Sequence, residues 1–163
     1  MIFENIILGK NVQIDPSSTV NNVQIDDNVK IAKLCSIYGG PHNLLKIGKN
    51  SYVGMMTILN GYSCELTIGQ YVSIAQGVNM MTDSGPNASP LLQKMFPILE
   101  GAIYIGDHSW IGAQTIIMPG VVLGRFCVVG ANSFVNKSFP DFCVIGGSPA
   151  QLIRYLDPTE LEL

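Results

Sequence analysis

The stretch "IGDHSWIGAQTIIMPGVVLGRFCVVGANSFV", residues 105–135, carries an aliphatic residue at every sixth position: Ile105, Ile111, Ile117, Leu123, Val129 and Val135. A helix repeats its apolar face about every 3.6 residues and a strand about every 2, so neither alone produces a beat of six. The same beat continues toward the N-terminus in triples: Leu8, Ile14, Val20; Ile25, Ile31, Ile37; Ile47, Val53, Leu59; Ile68, Ile74, Met80. Between successive triples the step is 5, 10, 9, 25 and 6. Seventeen of the eighteen positions are Leu, Ile or Val, which makes coincidence a poor explanation.

The companion positions agree. The residue two before each beat is usually small or aliphatic, as at Val29, Cys35, Ser51, Thr57, Val72, Ser109, Thr115 and Cys127. The residue after it is often Gly, Asp or Asn, as a turn requires. Each hexad therefore reads as a three-residue strand, inward–outward–inward, followed by a three-residue corner. Three hexads make one triangular coil, and about six coils stack into a prism, because one hexad cannot bury its apolar face without neighbours. The expected fold class is all-β, a parallel solenoid with Cys35 and Cys127 pointing into the core as small hydrophobes.

Every break in the beat falls between the third hexad of one coil and the first of the next. The insertions therefore leave one corner and stack above each other, at about 38–44, 60–65 and 81–102. The longest reads "MTDSGPNASPLLQKMFPILEGA". A loop of that length in a compact domain is usually functional or disordered, and its "PLLQKMFPI" half is apolar enough to pack against a neighbouring subunit.

Composition narrows the class. A length of 163 residues favours a single domain, 1–163, with coils over about 6–139, the extruded loop at about 81–102 and a short C-terminal segment over 140–163. No apolar run approaches the roughly 18 residues a membrane span needs. The N-terminus lacks the basic, then apolar, then small-residue pattern of a signal peptide, so the chain reads as mature and cytoplasmic. A net charge of −3 and a pI of about 5.2 argue against a nucleic-acid surface. The four cysteines show neither metal-ligand pairs nor a compact disulfide pattern.

The motifs "IGDHSWIGAQTIIMPGVVLG", "VVGANSFVNKSFP" and "VIGGSPAQLIR" resemble the hexapeptide-repeat acyltransferases, most closely the sugar O-acetyltransferase branch. The hexads cover residues 8–139, and the last fifty residues are the specific part. The resemblance implies a left-handed parallel β-helix, an exception to the usual right-handed crossover. It also implies a homotrimer that moves an acetyl group from acetyl-coenzyme A to a small-molecule acceptor, a sugar or nucleotide sugar, in a cleft between subunits. On the donor side, Trp110 stands where the family has a tryptophan near the donor; covering a subunit contact is its other reading. Ala113 and Ala131 match positions where backbone approaches the pantetheine arm. Asn136 and Lys137 match a Thr-Lys pair after the last coil, and Arg154 matches a basic residue near the nucleotide phosphates. Gln151 stands where the family has a second basic residue.

Direct acyl transfer from a thioester needs a base for the proton of the attacking hydroxyl or amine, and donors for the developing oxyanion. The family supplies a histidine early in the long loop, but here that place reads "MTDSGP", without one. Asp83 occupies the right loop and is the first candidate; an Asx-turn cap is its structural alternative. His42, in "GGPHNLL", is the second, on an insertion two coils earlier. At about 4.8 Å per coil the gap is roughly 10 Å, which the long loop would close by folding back. His108 sits at a different corner, and Cys64 is a weak nucleophile candidate with no histidine beside it in sequence. A zinc site of three histidines is excluded because the chain has two. A nucleotidyltransferase fusion would need a large preceding domain. The rival reading is a catalytically silent solenoid binding a sugar or a protein partner.

Overall fold

The structure, a computed structural model, describes residues 4–161. Three parallel sheets form the faces of a triangular prism. The first face stacks Ile6–Leu8, Val23–Ile25, Leu45–Ile47, Leu66–Ile68, Ile103–Ile105 and Val122–Leu123. The second stacks Gln13–Ile14, Lys30–Ile31, Tyr52–Val53, Ser73–Ile74, Trp110–Ile111 and Val128–Val129, and the third Thr19–Asn21, Ser36–Gly39, Ile58–Gly61, Asn79–Met81, Ile116–Ile117 and Phe134–Val135.

The register follows the beat of six. On the first face Leu8 pairs with Ile25, Ile25 with Ile47, Ile47 with Ile68, Ile68 with Ile105 and Ile105 with Leu123. The expected strand positions of all eighteen beat residues are met on the three faces. From Ile25 to Val135 they are buried, and the residues two before them, among them Val29, Cys35, Ser51, Thr57, Ser109 and Cys127, close the core. The buried hydroxyls are satisfied by the next coil's backbone: Ser51 Oγ donates to the Gly69 carbonyl at 2.9 Å, and Ser109 Oγ to that of Gly124 at 3.2 Å. That is why small polar residues are tolerated there.

The corners work differently from the expected turn. The glycine after a beat is there for close approach: a Cβ on Gly48 would sit 2.6 Å from the Gln70 nitrogen of the next coil. The left-handed backbone falls on the third residue after the beat, and most such residues are not glycine. At the corner between the first and second faces these are Asn11, Asn28, Asn50, Tyr71, His108, Phe126 and Phe142, with φ between 54 and 61°. Left-handed backbone costs an ordinary residue about 1–2 kcal/mol. Here identical geometry in successive coils lets like side chains stack. Asn28 Nδ2 donates to Asn50 Oδ1 at 3.1 Å, and the rings of Tyr71, His108, Phe126 and Phe142 lie parallel with centroids 4.8–5.1 Å apart.

The parallel ladder runs past residue 139. Phe139 bridges to Leu123 in the place of a first-face strand. Cys143–Gly147 then extends the second face, with Ile145 paired to Val129. Ala150–Tyr155 folds back antiparallel on it with a bulge after Val144, covering the sheet's last edge. The long loop has structure of its own. Asp83–Ser84 pairs antiparallel with Leu99–Glu100, and a short helix, Pro90–Gln93, starts at the N-cap Ser89, whose Oγ accepts from the Leu92 amide at 3.1 Å. Among the described residues no helix is long and apolar enough to cross a membrane.

Candidate functional site

The three insertions converge at the corner between the third and first faces. The first is a tight turn in which Gly40 and Asn43 exchange backbone hydrogen bonds around Pro41 and His42. Asn43 Nδ2 donates to the Ser63 carbonyl of the second insertion at 3.3 Å. Ser63 Oγ in turn donates to Asp83 Oδ2 of the third. Asn60 Nδ2 donates to Asp83 Oδ1 at 3.4 Å, while its Oδ1 accepts from the Tyr62 amide at 3.0 Å. The buried Thr82 hydroxyl accepts from the Cys64 amide at 3.3 Å. The result is a half-buried carboxylate with a fixed orientation, each oxygen held by a neutral donor. Beside it, Tyr38 aligns with Asn60 on the third face. Burial, and then the charge of Asp83, push the Tyr38 phenol above its ordinary pKa, so it stays protonated.

Asp83 is therefore not a plain turn cap. His42 is exposed at the tip of the first insertion, and among the described residues no hydrogen bond or ion pair joins it to Asp83. The long loop does not fold back across two coils, because the second insertion fills the gap and binds both neighbours. His108 is stacked between Tyr71 and Phe126 at another corner, which gives it a structural role. Cys64 is half-buried, and its amide bonds to Thr82. Sequence reasoning missed Ser63, Asn60 and Tyr38. Their signal was the stacking of the insertions at one corner, which places residues of adjacent loops in contact.

The donor-side candidates lie along the second face and its far end. Trp110, 56% exposed, stands between Ser73 below and Val128 above on the outer surface. Ala113 and Ala131 neighbour each other on adjacent coils at the corner of the second and third faces, where the Asn132 amide donates to the Ala113 carbonyl at 2.7 Å. Asn136 is exposed just beyond Phe134–Val135. Lys137 Nζ donates to Gln151 Oε1 at 3.1 Å and lies 5.5 Å from the Phe139 ring centroid. Gln151 thus holds the lysine by a neutral contact where a second cation would have repelled it. Arg154 is exposed on the terminal strand opposite Val144, with no ion-pair partner among the described residues. A hollow of about 300 Å³ opens inside the long loop, lined by Ser84, Pro86, Met95, Phe96 and Leu99. A larger depression, about 640 Å³, lies against the first three coils around Val12, Lys30 and Tyr52, away from the insertion corner.

Residues 102–137 match the family described as bacterial transferase hexapeptide (six repeats). The chain is 35% identical over 114 residues to the galactoside O-acetyltransferase of Escherichia coli (strain K12), covering 69% of this chain and 55% of that one. With the galactoside O-acetyltransferase of Lactococcus lactis it shares 32% over 98 residues, 60% of this chain and 47% of the relative. The chain thus spans about half the length of the curated relatives it matches. Among solved structures, the S84T variant of AntD, an N-acyltransferase from Bacillus cereus in complex with dTDP and coenzyme A, superposes with a TM-score of 0.83 at 25% identity, covering 97% of this chain and 87% of that one. By its repeats and its fold, a left-handed parallel β-helix, this chain belongs to the hexapeptide-repeat acyltransferase family.

Proposed function

We propose that the protein is a coenzyme A-dependent acyltransferase that moves an acetyl group from acetyl-coenzyme A to a sugar hydroxyl or an amino sugar, by direct transfer in a cleft between subunits of a homotrimer. The observation that carries this reading is Asp83, fixed by Ser63 and Asn60 where three insertions meet. A silent solenoid has no need to hold a carboxylate this way. The acceptor's attacking group binds against Asp83, which takes or steers its proton as the acyl carbon is attacked. On the donor side, Trp110 and the backbone at Ala113 and Ala131 border the pantetheine arm, Asn136 lies alongside it, and Lys137 and Arg154 pair with the nucleotide phosphates. Solved relatives support the ligand classes, since AntD was crystallised with coenzyme A and dTDP.

The trimer is supported by apolar residues on outward strand positions. Tyr52, Ile58, Trp110, Ile116 and Val122 are all exposed on the single chain, more apolar surface than a bare prism face should carry. A coenzyme A donor and four free cysteines fit the cytoplasm. Calorimetry tests the donor site. Charge-assisted pairs to phosphate contribute about 1.5–3 kcal/mol each, so the Lys137→Ala/Arg154→Ala double variant binds coenzyme A at least roughly tenfold more weakly. Unchanged affinity removes the assignment, and a monomer in sedimentation at micromolar concentration removes the intersubunit cleft.

A further inference from the structure

We propose that the N-terminal end of the prism is an interface, and that its partner is the same end of a second copy, joined by antiparallel pairing of Ile6–Leu8 about a two-fold axis at Ile7. The two ends of the solenoid are finished differently. At the C-terminal end Ala150–Tyr155 folds back over the last coil. At the other end, among the described residues, Ile6–Leu8 pairs with one strand only, Val23–Ile25. Its side chains show the consequence. Ile6 is in register with Val23 and Leu8 with Ile25, residues that are 0% and 1% exposed. Ile6 and Leu8 occupy the same inward positions one coil lower and are 37% and 48% exposed. Terminal repeats of a solenoid need a cover, and an open apolar edge is a template for pairing with another chain.

The backbone selects the partner. The Asn5 carbonyl accepts from the Val23 amide at 3.0 Å, and the Gly9 amide donates to the Ile25 carbonyl at 2.8 Å. Odd-numbered residues of this strand therefore face the second coil. Backbone groups alternate along a strand, so the amides and carbonyls of Ile6 and Leu8 point out of the open end. A two-fold axis through Ile7 sets Ile6 of one copy opposite Leu8 of the other, and each such pair exchanges both of its backbone hydrogen bonds. Ile7 faces Ile7 of the second copy on the outer surface as a non-hydrogen-bonded pair. The same register brings Glu4 of each copy beside Lys10 of the other. Both residues are exposed, and among the described residues neither takes part in an ion pair. Complementary charges of this kind fix register and orientation. The axis stands perpendicular to the first face and so exchanges the second and third. It lays Gln13–Ile14 of one copy over Thr19–Asn21 of the other and joins the two cores across the partly buried Val12 and Ile14. Such an isologous contact closes on itself, and it uses none of the residues assigned above to the side-by-side trimer.

The test is the mass of the assembly, by sedimentation equilibrium at micromolar concentration. Wild type should be a dimer of trimers where the side-by-side trimer forms as well, and a simple dimer where it does not. Lys10→Glu and Glu4→Lys each set like charges beside one another at both symmetry-related contacts. Each should weaken the end-to-end pair about tenfold or more, moving the mass toward half the wild-type value. The double swap, Glu4→Lys with Lys10→Glu, restores the complement and should return the affinity to within about threefold of wild type. Ile7→Asp, at a position 53% exposed, should halve the mass as the single reversals do. All of these changes fall on exposed side chains, and far-ultraviolet circular dichroism checks that each variant is folded. A wild-type protein that sediments as a lone trimer or a monomer overturns the proposal, and the lone trimer leaves the acyltransferase reading intact. Wild-type mass retained by both single reversals, or a double swap that stays dissociated, also overturns it.

Discussion

Ile111 is the second beat in the stretch that decides the fold, and its removal has a magnitude the structure sets. Its side chain is fully buried, with Ile74 in register on the coil below and Val129 on the coil above. Ile111→Ala deletes three carbons, worth about 0.8 kcal/mol each in transfer from water, or about 2.4 kcal/mol. Parallel strands on both sides fix the backbone, so the site collapses little and a cavity term adds to the loss. The expected destabilisation is about 3–4 kcal/mol. The matched control is Ser73→Ala, on the exposed outer surface beside the same core column, which should change stability by less than about 0.5 kcal/mol. Urea unfolding at one fixed protein concentration measures both, because association would make stability concentration-dependent. Contacts in a solenoid run mainly between adjacent coils. A fall in slope as well as midpoint for Ile111→Ala would therefore mean that the coils on either side unfold separately. A loss below about 1 kcal/mol would refute the inward placement of the beat.

Two further predictions concern the corners and the core. Leu34 has φ of 58° and is 63% exposed, so Leu34→Asn should relieve left-handed strain at little packing cost and stabilise the protein by about 0.5–1 kcal/mol in the same assay. Burial pushes the Cys127 thiol up to about 11 from an ordinary 9.0. A group whose pKa is raised by folding contributes stability that is complete below its unfolded pKa and is lost as pH rises through the folded one. Wild type should therefore lose about 2–3 kcal/mol relative to Cys127→Ser between about pH 9 and pH 11, read from paired unfolding curves. Parallel losses in the two proteins would contradict this.

The prism was legible because a period of six leaves one arrangement that buries every beat, and Ile25, Ile31 and Ile37 on three successive faces show the logic at work. The start of a seventh turn was not, because Phe139 enters four residues after Val135 and is aromatic, so it matches neither the step nor the residue class. Left-handed corners at Tyr71, His108 and Phe126 ran against local propensity, and they are offset by stacking between coils that no single hexad reveals. At the candidate site the loop of Asp83 was readable from the break in the beat. Its partners Ser63 and Asn60 were not, since insertions abandon the repeat and their contacts depend on how neighbouring loops stack. The network linking the first insertion to Asp83 was hidden for the same reason, since it runs from Asn43 through Ser63 of the second insertion.

Acyl transfer at the insertion corner is tested most directly by acceptor-dependent release of coenzyme A thiol from acetyl-coenzyme A, measured for wild type and Asp83→Asn across a panel of sugars, amino sugars and nucleotide sugars. At least one acceptor should stimulate release by the wild-type protein, and Asp83→Asn, equally folded, should slow that turnover by about a hundredfold. Acceptor-stimulated release that Asp83→Asn leaves near normal would contradict the assignment of the site, and no stimulated release from any acceptor would contradict the reaction itself.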